Sequence, residues 1–99
     1  MTTEILEEVF EVIKDRRDNP REDSYVSSLL GKGEEKILAK VEEESMELLE
    51  AAEEKENDEI IHESADTIFH VMVLLAAKNI EFEEVMEELR GRRKPREAE

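Results

Sequence analysis

Two carboxylate pairs stand where helical periodicity places apolar surface. Glu44 and Glu47 lie within Val41–Leu49, and Glu63 and Asp66 lie within Ile61–Phe69. A helix turns about 100° per residue. With Ile37 set at 0°, Val41, Leu48 and Ala51 fall at about 40°, about 20° and about 320°. Glu44, at about 340°, lies inside that apolar arc, and Glu47, at about 280°, lies on its border. With Ile60 at 0°, Glu63, Asp66 and His70 cluster at about 300°, about 240° and about 280°. A carboxylate on a core-facing stripe costs several kcal/mol unless something positive neutralises it. A divalent cation would do so, and so would a buried Lys or Arg. Pairs spaced i, i+3 on two helices can converge on one point. Four hard oxygen donors, Glu44, Glu47, Glu63 and Asp66, suit Mg²⁺ or Mn²⁺ and not zinc. The competing reading is compositional, because among 24 Glu a Glu-x-x-Glu spacing also arises on a plain solvated face. With only five Asp in the chain, Glu63-x-x-Asp66 inside an apolar helix is the more telling pair.

These residues need helices to hold them. An amphipathic helix is expected over residues 3–17, capped by Thr3, with Ile5, Leu6, Val9, Phe10, Val12 and Ile13 as its stripe and Asn19-Pro20 as its end. Residues 23–30 form a short helical or irregular segment closed by Gly31-Lys32-Gly33, too little for a dinucleotide or P-loop fingerprint. A long helix over 34–55 carries the first acidic pair. A second, over 59–78 and capped by Asp58, carries the other, and Asn79 suits the left-handed position after it. From Val71 to Ala77 this helix is apolar on every side, which marks it as central to a bundle or as part of a subunit interface. A last helix over 81–90 buries Phe82, Val85, Met86 and Leu89. Residues 91–99 make a charged, frayed end, so one domain spans 1–93 and a tail 94–99. Nothing alternates with period two, so the fold class is all-α, a bundle of four to five helices with its core completed by dimerisation.

Composition narrows the function. The 99 residues hold no cysteine, hence no disulfide, thiolate metal site or thiol nucleophile. A net charge of −15 opposes nucleic-acid backbone as a partner. It also opposes phosphate-bearing substrates, unless metal ions reverse the sign of the acidic cluster. The N-terminus has no leader pattern, and no uninterrupted apolar run reaches the roughly 18 residues of a membrane span. The cytoplasm is the expected compartment, with no membrane partner. Lys36 and Lys40, at about 260° and about 300°, precede the carboxylates on the same side and could bind phosphates, or simply form i, i+4 surface pairs. His70 is expected to be packed beside the site and not to be catalytic.

Glu43-Glu44-x-x-Glu47 followed by Glu63-x-x-Asp66 resembles the EExxE…ExxD signature of the all-α, MazG-type nucleoside triphosphate pyrophosphohydrolases. Ser24-Tyr25-Val26-x-Ser28-Leu29-Leu30-x-Lys32-Gly33, Lys40-Val41, Leu74–Ala77 and Glu84-Val85-x-x-Glu88-Leu89 narrow the resemblance to the phosphoribosyl-ATP pyrophosphohydrolases of histidine biosynthesis, over residues 4 to 93. Glu42 departs from the usual small residue before the acidic pair. The resemblance implies a dimeric or higher assembly, Mg²⁺ between two helices, and hydrolysis of phosphoribosyl-ATP to phosphoribosyl-AMP and pyrophosphate. It implies the free-standing form, since the chain is too short for the cyclohydrolase domain to which many relatives are fused. On it, Glu44, Glu47, Glu63 and Asp66 are ligands, with Glu43 or one of them as the base. Lys32, Lys36 and Lys40 meet phosphates, while Ser24, Tyr25 and the basic cluster containing Arg92 serve the phosphoribosyl end, whose phosphate needs cations or hydroxyl donors. Two alternatives stand beside it. One is a house-cleaning MazG-type hydrolase acting on another nucleotide. The other is an acidic bundle without catalysis or with di-iron, for which Glu59-x-x-His62 supplies half a motif.

Overall fold

A computed structural model of the chain describes residues 3–54 and 56–93, so the tail expected at 94–99 lies outside the described residues. Five helices follow one another: α1 Glu4–Asp18, α2 Tyr25–Lys32, α3 Glu34–Glu54, α4 Asn57–Ala77 and α5 Phe82–Arg92. Among the described residues there is no strand.

Helices α3 and α4 form an antiparallel hairpin. Lys78 at the end of α4 meets Glu34 at the start of α3 at 2.9 Å, and half-way along, the Thr67 hydroxyl lies 3.2 Å from the Glu44 carbonyl. This pairing brings the two acidic segments to the same level. Helix α1 lies across α4, and Arg17 donates to the Ala76 carbonyl at 2.8 Å, adding to the Asn79 N–H that this carbonyl already accepts at the helix end. Helix α2 fills the space between α1 and the hairpin. The core consists of Phe10, Ile13, Val26, Leu29, Ile37, Met72, Val73 and Ala76, with side chains from the first four helices. Burial of these side chains at about 25 cal/mol per Å² is the main force holding the bundle.

Several expected details fall differently. Thr3 precedes α1 without a side-chain cap, whereas Ser24 is a true N-cap, accepting the Ser27 N–H at 3.1 Å. Helix α4 starts at Asn57, so Asp58 sits inside the first turn and not at the cap. There its charge still favours the exposed N–H groups. Gly33 adopts φ +99°, open to glycine at no steric cost, and Asn79 takes the left-handed φ of +60°. A capping box between Glu81 and Glu84 starts α5, which runs through Gly91 to Arg92 instead of stopping at Arg90. Only its first turns pack, through Phe82 on Phe10 at 5.9 Å between ring centres; Val85 and Met86 are half-buried and Leu89 is 56% exposed.

Averaged over an 18-residue window, α4 is long and apolar enough to cross a membrane, with mean hydropathy 1.4. Counting uninterrupted apolar residues misses this, because Glu63 and Asp66 break the run. Much of its C-terminal half is buried inside the bundle: His70, Met72, Val73 and Ala76 are covered within the chain. The segment is thus less available to a partner than its composition suggests.

Candidate metal centre

Glu44 is 5% exposed, as its place in the apolar arc of α3 requires. Its carboxylate, that of Glu47 one turn on, and that of Glu63 across the hairpin offer oxygens within 4.8 Å of one another. Glu44 Oε2 and Glu63 Oε1 are buried with no hydrogen-bond partner. An ionised oxygen left so is costly unless a cation faces it. Asp66 stands one turn beyond and groups with Glu63 and His62, not with the Glu44–Glu47–Glu63 trio. The four expected ligands are therefore two overlapping groups hinged at Glu63. His62 enters through its i, i+4 contact with Asp66, Nε2 to Oδ2 at 3.3 Å.

Charge repulsion is written into the trio. Glu47 is pushed above its ordinary carboxyl value, first by the negative charge of Glu44, then by burial and Glu63. Glu63 is raised by burial and then by Glu44. Glu44 goes the other way. Burial opposes its ionisation, but the hydrogen bond and charge of Lys40 outweigh that and hold it below the ordinary range. Lys40 Nζ lies 3.2 Å from Glu44 and 2.6 Å from Glu43, and the Glu43 hydrogen bond is the first cause of its own raised value. One cation among three carboxylates leaves the trio net negative, with two bare oxygens turned inward. All-oxygen donors of this kind fit a hard divalent ion.

Beside the acids runs a groove of about 330 Å³ lined by Tyr25, Leu29, Lys32, Lys36, Ala39, Lys40 and Glu43. Three ammonium-bearing side chains thus flank one edge of the acidic group, the order a metal-bound polyphosphate requires.

The profile for phosphoribosyl-ATP pyrophosphohydrolase matches residues 6–93. The chain belongs to the phosphoribosyl-ATP pyrophosphohydrolase family. It is 52% identical over 93 residues to the phosphoribosyl-ATP pyrophosphatase of Methanocella arvoryzae, covering 92% of this chain and 98% of that protein. It is 48% identical to that of Methanococcoides burtonii, covering 90% and 92%, and 45% identical to that of Bacillus cereus, covering 85% and 78%. The family hydrolyses a diphosphate bond in histidine biosynthesis.

Within this phosphoribosyl-ATP pyrophosphohydrolase fold the remaining candidates separate. Tyr25, Lys32, Lys36 and Lys40 share the groove with Glu43. Ser24 is committed to capping α2, and Arg92, on α5, pairs with Glu88 at 3.0 Å and does not line the groove. Thr67 escaped sequence reasoning. Its hydroxyl lies 2.8 Å from the Glu63 carbonyl and 3.2 Å from that of Glu44, pinning the hairpin at the level of the acids. The signal was its position one residue after Asp66, visible only once the helix crossing is known.

Proposed function

We propose that this chain hydrolyses phosphoribosyl-ATP to phosphoribosyl-AMP and pyrophosphate in the cytoplasm, using Mg²⁺ held by Glu44, Glu47, Glu63 and Asp66. The observation that carries the reading is the pair of buried, partnerless oxygens on Glu44 and Glu63 beside a lysine-lined groove. Mg²⁺, or Mn²⁺ in its place, would offset the triphosphate charge and favour departure of pyrophosphate. Lys32, Lys36 and Lys40 bind phosphate oxygens. Lys40 also neutralises part of Glu44, and so sets how much negative charge the metal meets. Glu43 touches Lys40 through Oε2 and is about half exposed at the mouth of the groove, where it can hold and deprotonate the attacking water. Positioning and charge stabilisation, more than covalent chemistry, are what phosphoryl transfer asks of a protein.

The working unit is at least a homodimer. The apolar surface of Ile5, Val12 and Ile68 is left open by the single chain, at 59%, 50% and 47% exposure, and a second copy covers it. Arg92 does not line the groove of the single chain, so a role at the phosphoribosyl end would bring it there from that second copy.

Kinetics on phosphoribosyl-ATP, ATP and dCTP test the substrate. A kcat/KM for phosphoribosyl-ATP at least tenfold (roughly 1.4 kcal/mol) above the others is expected. Equal values would move the chain to the house-cleaning branch.

A further inference from the structure

His70 is 4% exposed and makes two hydrogen bonds. Nδ1 lies 2.8 Å from the Asp66 carbonyl oxygen, and Nε2 lies 2.8 Å from the Tyr25 hydroxyl. A carbonyl has no proton to give, so Nδ1 carries the hydrogen. In the neutral ring Nε2 is then a bare lone pair, and the phenol must donate to it. The ring is held in this orientation by edge-on packing against Phe69 and Tyr25, both at 80° with centres 5.4 Å and 5.7 Å away.

The consequence falls on Tyr25. Its phenol has one proton, and beside a neutral His70 that proton points inward to Nε2. Yet Tyr25 is 52% exposed and forms part of the groove with Lys32, Lys36 and Lys40. Toward the groove its oxygen can only accept. An ionised phosphate also only accepts, so the two oxygens would repel. Accepting from a sugar hydroxyl or a base N–H satisfies both partners.

We propose that Tyr25 recognises a hydrogen-bond donor on the nucleoside part of the substrate, a sugar hydroxyl or a base N–H, and not a phosphate. His70 is the positioning residue that imposes this polarity by taking the phenol proton. The proposal rests on the phosphoribosyl-ATP reading for its substrate, and it reverses the expectation that Tyr25 donates to the second phosphate. Recognition is thereby divided: lysines hold the phosphates, and one polarised phenol checks that a nucleoside is attached.

Two measurements test it on the full-length chain. Long-range ¹H–¹⁵N correlation of the His70 ring is expected to show the Nδ1–H tautomer, with the Nε2 resonance moving in Tyr25→Phe. An Nε2–H tautomer, a ring protonated on both nitrogens, or an unmoved resonance overturns the proposal without touching the substrate reading. In kinetics, Tyr25→Phe is expected to raise KM for phosphoribosyl-ATP about tenfold with little change in kcat. The same variant should keep the wild-type inhibition constant for Mg²⁺-bound inorganic tripolyphosphate, which has no donor. Equal losses on both, or none on either, overturn it. The inosine analogue, which lacks the amino-derived N–H, and the 2′-deoxy analogue identify the donor as the one on which wild type and Tyr25→Phe become equal. Advantage lost on neither analogue overturns it as well. For His70, Gln offers an acceptor oxygen and should retain more discrimination between substrate and tripolyphosphate than Ala does. If the Ala variant fails to fold, the tautomer measurement still decides. Wild-type protein inactive on phosphoribosyl-ATP would instead overturn the substrate reading.

Discussion

Glu47 and Glu63 are strained by ionisation while Glu44 is favoured by it, and the difference has a measurable sign. For Glu47 and Glu63, whose folded values lie above the ordinary 4.5, the stability they contribute is fully present below 4.5 and is lost as pH rises through the raised values. For Glu44, held below 4.5, the contribution is present above that value and is lost as pH falls through the lowered one. Mg²⁺ competes with protons for the same oxygens. The rise in Tm produced by Mg²⁺ should therefore be large near about pH 7.5 and small near about pH 4, growing through the window just above 4.5. Thermal melts with and without Mg²⁺ across that range measure it, and a pH-independent increment contradicts the assignment. Asp66→Asn keeps the shape but removes charge, so Mg²⁺-dependent turnover should fall roughly 100-fold or more with unchanged helicity. Unchanged turnover would remove Asp66 from the site. Glu44 was legible from sequence, because a carboxylate at the centre of an apolar arc has to be buried. The hold of Lys40 on both Glu43 and Glu44 was legible only as spacing. Whether an i, i+4 lysine folds onto the acid or reaches into solvent depends on neighbouring helices.

Periodicity marks the helices of this chain more firmly than caps mark their ends. The pattern located four helices, since apolar positions recurring at helical spacing persist over many turns, and left the short α2 segment open between helical and irregular. A cap is a single residue's hydrogen bond. Ser24, Thr3 and Asp58 were all chemically able to supply one, and only Ser24 does so. Ser24→Ala should cost about 1 kcal/mol and lower Tm by about 4–8 °C, as for other N-caps in domains of this size. Calorimetry checks this. Thr3→Ala should leave Tm unchanged within about 1 °C, because no cap hydrogen bond is lost there. The expected burial of Leu89 failed for a related reason. An apolar stripe shows which face of α5 would be buried, not how far the neighbouring helices extend to cover it.

At the scale of the molecule, one chain is an open object. Its radius of gyration is 15.3 Å, with extents of 50 × 33 × 27 Å, against about 13 Å for a compact chain of this length. The shortfall in packing is visible between α1 and α4. There a groove of about 450 Å³ is lined by Ile5, Val9, Val12, Tyr25, Val26 and Phe69 among others, and Ile68 continues it. The apolar run Val71–Ala77 first pointed to an interface, but Met72, Val73 and Ala76 are already buried within the chain. Exposed apolar side chains lie on the N-terminal half of α4 and on α1, with a second set on α3 at Leu38, Met46 and Leu49. A stable dimer needs about 800 Å² from each partner, and on the α1–α4 face the exposed apolar side chains border an apolar groove that a second copy can fill. Sedimentation at micromolar concentration should show a dimer or larger species. Ile68→Glu puts a charge on that face without disturbing the monomer core, since Ile68 is 47% exposed in the single chain. It should shift the protein toward monomer by at least tenfold in dissociation constant. A wild-type monomer would refute the assembly, while an Ile68→Glu protein as dimeric as wild type would place the interface elsewhere, with the exposed Leu38, Met46 and Leu49 of α3 as the next face to test.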